Sequence, residues 1–296
     1  MMEWPAIPED VVSWFRTIFA EANRSVCERL VNLPNIRETS LDDGLIEALV
    51  PDSAPTLLPS GAIVQMDIHN IGGLRRISRW EVADIAILVF VFRREQLMAR
   101  KIGLLQAKRL YPTNNDVIDE DEEGFRFGMN AFIGREVQQA LAVLQREYAF
   151  NDQCVYGSIR AGDPQLDRLE ELNRQFGKTA FYLLYNPALL PVTVHYPLKT
   201  RTVVSEIDIG CRVVDSDRIR DALSGLEKGQ TPSYRRVNDA SGSGNWPLQT
   251  WAADMLLKCQ VGQQFDETRD GQITSLLTRR SGPIGAALAV SITLPD

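Results

Sequence analysis

The chain has 296 residues, 44% hydrophobic and 24% charged, which is enough apolar material to bury a core in one large domain or two small ones. No run of about 18 uncharged apolar residues occurs, and Met1 to Pro5 lack a basic segment followed by an apolar one, so neither a membrane span nor a secretory signal is expected; the expected compartment is the cytoplasm. The net charge of −7 argues against general affinity for polyanions, but the window from Arg75 to Arg109 holds nine basic residues against three acids.

Four scattered cysteines (Cys27, Cys154, Cys211, Cys259) without CxxC spacing exclude an obvious zinc site or disulfide framework. The two distant histidines, His69 and His195, lie near no nucleophile motif and argue against Ser-His-Asp or Cys-His catalysis.

Residues 8 to 33 carry apolar side chains at helical spacing behind Pro8, Glu9 and Asp10, and predict a helix with a break near Asn23. A second helix is expected in "NIRETSLDDGLIEALV", with Leu41, Leu45, Ile46 and Leu49 on one face and Glu38 at its entrance. After a Pro/Ser/Gly-rich break, "AIVQMDIHNI" alternates as a strand, and Gly72-Gly73 supplies a turn. "VADIAILVFVF" and "KIGLLQAKRLY", joined by "RREQLMAR", are near-continuously apolar, which predicts strands covered on both faces.

"DVIDEDEEG" reads as a solvated acidic loop. "FRFGMNAFIGREVQQALAVLQREYAF" predicts a long helix, "RLEELNRQFGK" a shorter one and "TAFYLLYNP" a strand. Beyond residue 190 the pattern mixes strands ("VTVHYP", "EIDIGCRVV", "AALAVSITL") with a helix in "WPLQTWAADMLLKCQV" and a flexible loop in "NDASGSGNW", a Gly-rich stretch that lacks the Lys-Ser/Thr of a phosphate loop. The expected division is a core over 1–190 with its N-terminal helix, and a mixed α/β extension over 191–296 that can belong to the same globule.

Polar residues interrupt the two most apolar strands at Asp84, Gln106 and Lys108. Side chains alternate along a strand, so Gln106 and Lys108 share a face, and a hairpin neighbour brings Asp84 to the same spot. Burying such groups costs several kcal/mol on the order-of-magnitude scale unless they pair, bind metal or do chemistry. A simple Asp84–Lys108 ion pair is the plainest explanation. A hard divalent ion would in addition use Glu38, the Ala107 carbonyl and waters, with Lys108, its pKa lowered, beside an attacking water; hydrolysis of a nucleic-acid backbone is the reaction such a set suits.

In the order "RETSLDD", "WEVADIAI", "LLQAKR", the chain resembles the PD-(D/E)XK nuclease superfamily. That resemblance implies an α/β (α+β) fold with a restriction endonuclease-like αβββαβ core over residues 36 to 187, a central mixed sheet flanked by helices. It implies Glu38, Asp84, Gln106 and Lys108 as catalytic residues, with Mg²⁺ or Mn²⁺ held by Asp84, Gln106 and Ala107. Gln106 departs from the commoner Asp or Glu, and a neutral amide binds a hard cation less strongly than a carboxylate.

Expected nucleic-acid contacts are Arg75, Arg76, Arg79, Arg93, Arg94 and Arg109. DNA is favoured over RNA, in bacterial restriction or anti-phage defence, with a helicase or ATPase partner or self-association open. The alternatives are a catalytically inactive subunit of the same fold that binds nucleic acid or protein, and a metal-free domain. Weaker candidates are His69, Glu81, Glu136, Gln139 and a base-stacking Trp80.

Overall fold

The computed structural model describes residues 3–70, 83–113, 146–196, 198–277 and 284–296. The Pro8-Glu9-Asp10 start opens α1 (Glu9–Asn32), whose buried stripe includes Val11, Phe15, Phe19, Val26 and Leu30. The helix is continuous through Asn23, contrary to the predicted break. Asn23 lies in the core with its needs met: its Nδ2 donates to Gln249 at 3.0 Å and its Oδ1 accepts the Cys211 N–H at 2.8 Å. A short linker leads to α2 (Glu38–Leu49).

β1 (Thr56–Leu57) and β2 (Ile63–Asn70) follow, then β3 (Ala83–Arg93) and β4 (Gln96–Arg109). The β3–β4 connection is only the two residues Arg94 and Glu95, both at positive φ (48° and 64°). It is therefore a tight hairpin rather than the longer joint expected from "RREQLMAR"; no Asn-Gly announces it, because Arg and Glu here accept a backbone region that Gly or Asn enters more cheaply.

β5 (Arg146–Phe150) pairs antiparallel with β7 (Val192–Tyr196) in a small second sheet. The expected long helix over 125–150 is thus corrected at its end, where pairing with β7 overrides a helix-like apolar spacing; the rest of that helix lies outside the described residues. α3 (Pro164–Phe176), capped by Asp163, leads into β6 (Ala180–Tyr185) as predicted.

Next come β8 (Arg212–Asp215), α4 (Ser216–Leu223) and α5 (Tyr234–Ser241). In place of a flexible loop over "NDASGSGNW", residues 234–241 form α5: Ser233 caps it by accepting the Arg236 N–H at 3.2 Å, and Val237 and Ser241 are buried. β9 (Asn245–Pro247), helical α6 (Leu248–Thr250) continued by π-turns over Trp251–Leu257, β10 (Gln263–Gln264), α7 (Asp270–Leu276) and β11 (Ile284–Leu294) complete the described chain.

Among the described residues the main sheet runs β1-β2-β11-β3-β4-β6-β8-β9, with β10 attached to β4. It is mixed: β3 and β4 are antiparallel, whereas β4 and β6, and β11 and β3, are parallel. β11 enters between β2 and β3, pairing Leu288 with both Ile68 and Ile87, so the predicted succession of core strands is split by a strand from the C-terminal part. Residues beyond 191 also supply β8, β9 and β10 to this sheet.

Helices flank the sheet. Trp251 and Leu256 press on Gly103 of β4, and α1 packs against α2 and the Leu248–Leu257 segment. No helix among the described residues is long and apolar enough to cross a membrane.

Candidate functional site

β4 outlasts its pairing with β3. The register runs from Arg93↔Gln96 to Ile85↔Leu105, and beyond that the backbone N–H groups of Ala107 and Arg109 lose strand partners on that side. Two carboxylates take their place. Asp84 Oδ2 accepts the Ala107 N–H at 2.7 Å, and Glu38 Oε2, from the first residue of α2, accepts the Arg109 N–H at 3.1 Å. The fork between the strands is thus closed by acids.

The side chains expected to converge do so. Gln106 and Lys108 share one face of β4, both nearly fully buried, and the Gln106 amide nitrogen donates to Asp84 Oδ2. Lys108 Nζ lies 3.4 Å from Glu38 Oε1. The plain Asp84–Lys108 contact pair is not the arrangement found: Lys108 has Glu38 as its direct partner and Asp84 contributes through space. Ala107 meets Asp84 through its backbone N–H.

Two further residues complete the cluster. Ser158, from the segment after β5, donates to Glu38 Oε2 at 2.8 Å. Asp42, one helical turn beyond Glu38 and buried, accepts the Tyr185 hydroxyl at 2.6 Å. Ser158 carries no sequence signal at all; Asp42 does, since its i+4 spacing from Glu38 places it on the same face of α2.

Burial alone would push the Lys108 ammonium toward neutrality, but the charges of Glu38, Asp84 and Asp42 outweigh it and its pKa is raised above the ordinary value. The lowering expected of Lys108 belongs to a site that holds a metal ion; the protein groups alone act in the other direction.

The remaining arginines stand elsewhere. Arg109 is fully buried on the opposite face of β4 from Lys108, where its guanidinium donates to the carbonyls of Pro34 (2.6 Å) and Ile36 and lies over Tyr111. It therefore clamps the α1–α2 linker, and with it Glu38, to β4 instead of facing a phosphate. Arg93 and Arg94 are exposed at the hairpin, about 30 Å along β3 from Asp84 at ~3.3 Å per residue, and Arg94 pairs with Asp296 at 2.5 Å. Neither can share a phosphate with the site. Arg75, Arg76, Arg79, Trp80, Glu81, Glu136 and Gln139 lie outside the described residues, as does the acidic loop. His69 is exposed on β2 and contacts Asp67 at 2.8 Å.

No protein-family model, curated protein or solved structure matches this chain. The chemistry rests on the cluster itself.

Three carboxylates surround one ammonium, and the Gln106 Oε1 is a buried acceptor without a hydrogen-bond partner. A buried amide oxygen left open beside Asp84 fits a hard divalent cation, which seeks oxygen ligands. Among the described residues no three His, Cys, Asp or Glu side chains gather as a metal-ligand group, so any such ion would depend on the Gln106 amide as well as on carboxylates.

Proposed function

We propose that the protein is a metal-dependent phosphodiesterase acting on nucleic acid, a nuclease of the PD-(D/E)XK type with glutamine in the usual acidic place. The observation that carries this reading is the Gln106 side chain: buried beside Asp84, it spends its amide nitrogen on that carboxylate and leaves its oxygen without a partner. Among the described residues the succession α2, β2, β3, β4, α3, β6 supports it, with the short β1 ahead of β2, β5 of the small sheet ahead of α3, and β11 as an intercalated strand.

Asp84 and Gln106 Oε1 would hold Mg²⁺ or Mn²⁺, which when bound supplies Lewis acidity toward a phosphodiester and offsets negative charge. Lys108, kept protonated by its acidic neighbours, presents a positive charge at the same face of β4 and stabilises charge developing on phosphate oxygens. Glu38 holds Lys108 in place and is itself held by Ser158 and the Arg109 N–H. DNA, a role in restriction or anti-phage defence, and a helicase or ATPase partner are supported by the sequence resemblance alone.

A second reading, a nuclease fold that binds without cutting, is favoured by one observation: Asp84 Oδ2 is already engaged by two donors, Gln106 and Ala107. The two part in one assay. Supercoiled, linear and single-stranded DNA and RNA are incubated with the protein in Mg²⁺, Mn²⁺ or EDTA, beside Asp84→Asn and Lys108→Ala. Metal-dependent cleavage lost in both variants is expected; cleavage that survives Lys108→Ala, or none by any protein, sinks the catalytic reading.

A further inference from the structure

On the flank of α1 and α2 an open groove of about 740 Å³ is lined by Arg29, Lys199 and Arg201, with Glu47 as the one acid. Lys199 and Arg201 are held out by construction, while Arg29 lies 3.4 Å from Glu47. Residues 198–204 form an irregular strap fastened along α1: Asn32 Nδ2 donates to the Thr202 carbonyl at 2.8 Å, Asn32 Oδ1 accepts the Thr202 N–H at 2.7 Å, and Glu28 Oε1 accepts the Val204 N–H at 3.0 Å. Ahead of these fastenings Lys199 and Arg201 are exposed and form no ion pair among the described residues.

Arg29 reaches the groove because Gly44, mid-way along α2, has no side chain. A Cβ there would overlap the Arg29 guanidinium. A glycine inside a helix costs about 0.5–1 kcal/mol relative to alanine, and here the visible return is the path of Arg29 across α2.

α2 also begins at the acid-lined fork. Gly44 to Ala48 lie six to ten residues beyond Glu38, roughly 9–15 Å along the axis at 1.5 Å per residue. At ~3.4 Å per nucleotide that is about three to four nucleotides. Guanidinium forks match phosphate oxygens, and a groove of this size exceeds a single phosphate group.

We propose that the Arg29–Lys199–Arg201 groove binds the sugar-phosphate backbone of a nucleic-acid strand, three to four nucleotides away from the phosphate held at Glu38, Asp84, Gln106 and Lys108. The placement rests on the nuclease reading, while the groove's affinity for a polyanion does not. The contacts are to backbone, so they position the strand and carry no sequence preference.

The test is fluorescence anisotropy in EDTA with a labelled 25-nucleotide single strand and its duplex, across a salt series. Lys199→Glu combined with Arg201→Glu changes exposed side chains; Arg174→Glu with Arg235→Glu makes the same charge change on α3 and α5. The groove pair is expected to weaken binding at least tenfold and to reduce the salt slope by about 1.5, at ~0.7–0.9 per phosphate contact, while the control pair leaves both near wild type.

Equal loss in the two pairs, unchanged binding in the groove pair, or no binding by the wild type overturns the proposal. So does displacement by polyglutamate as readily as by nucleic acid at equal charge, which would assign the groove to an acidic protein. Binding through the groove by a wild type that cleaves nothing in any metal overturns the hydrolase reading and leaves the groove standing. Metal-dependent cleavage with binding untouched by the groove pair does the reverse.

Discussion

The hydroxyl of Ser158 donates to Glu38 Oε2 at 2.8 Å, so a residue from the segment after β5 fixes the first side chain of α2. Neither residue belongs to the sheet, yet both act at its end. Ser158→Ala removes a hydrogen bond to a carboxylate and is expected to destabilise the fold by about 1.5–3 kcal/mol, read as a lower midpoint in urea unfolding with the slope unchanged. An unchanged midpoint would show that Glu38 is held by Arg109 and Lys108 alone.

Gln106→Glu replaces the amide that donates to Asp84 with a second carboxylate. Two acids side by side repel, so in EDTA the variant is expected to melt several degrees below wild type. Adding millimolar Mg²⁺ should raise its Tm more than that of the wild type, because a carboxylate binds a hard cation better than an amide does and a ligand that binds the folded state stabilises it. Equal Mg²⁺ responses in the two proteins would count against Asp84 and Gln106 as a cation site.

Lys101 offers a pH signature remote from the fork. It is fully buried, its Nζ donating to the Leu256 carbonyl at 3.1 Å and lying 5.4 Å from the centre of the Trp4 ring. Burial lowers its pKa, with Cys259 acting weakly in the other direction. Between that lowered value and the ordinary 10.5, the unfolded chain holds a proton that the folded chain has released, so stability rises with pH across this window. Unfolding free energies of the wild type and Lys101→Met, followed from pH 7 to 10.5, should therefore shift in favour of the wild type as pH rises, at no more than about 1.4 kcal/mol per pH unit. A pH-independent difference would contradict the buried setting.

Gly103→Ala tests the packing of the helical segment on β4. The added Cβ would come within 3.0 Å of both Leu256 Cδ1 and Trp251 Cη2, deep in the core. Overpacking of this kind costs about 1–3 kcal/mol, visible as a lower Tm and a change in tryptophan fluorescence. A variant as stable as wild type would show that the Leu248–Leu257 segment shifts freely.

Much of this was legible in the residues. The apolar runs of β3 and β4 and the alternation of Gln106 and Lys108 are local patterns, and a hairpin needs no distant information to bring Asp84 beside them. Arg109 was not legible, because an arginine in a basic window reads as surface; only the two carbonyls of the α1–α2 linker, supplied by tertiary structure, explain its burial. β5 and α5 were misread for related reasons. Partner strand β7 decides the first, and the Ser233 cap with its buried Val237 decides the second. The place of β11 has no local code at all, since an apolar strand does not name its neighbours.

That place has a consequence for how the molecule is made. β11 is synthesised after both β2 and β3 and yet lies between them, so these two strands leave the ribosome without the partner that joins their facing edges. Until Ile284–Leu294 arrives, the backbone N–H and C=O groups along those two edges lack this partner, and unpaired strand edges are where a growing chain is open to pairing with others.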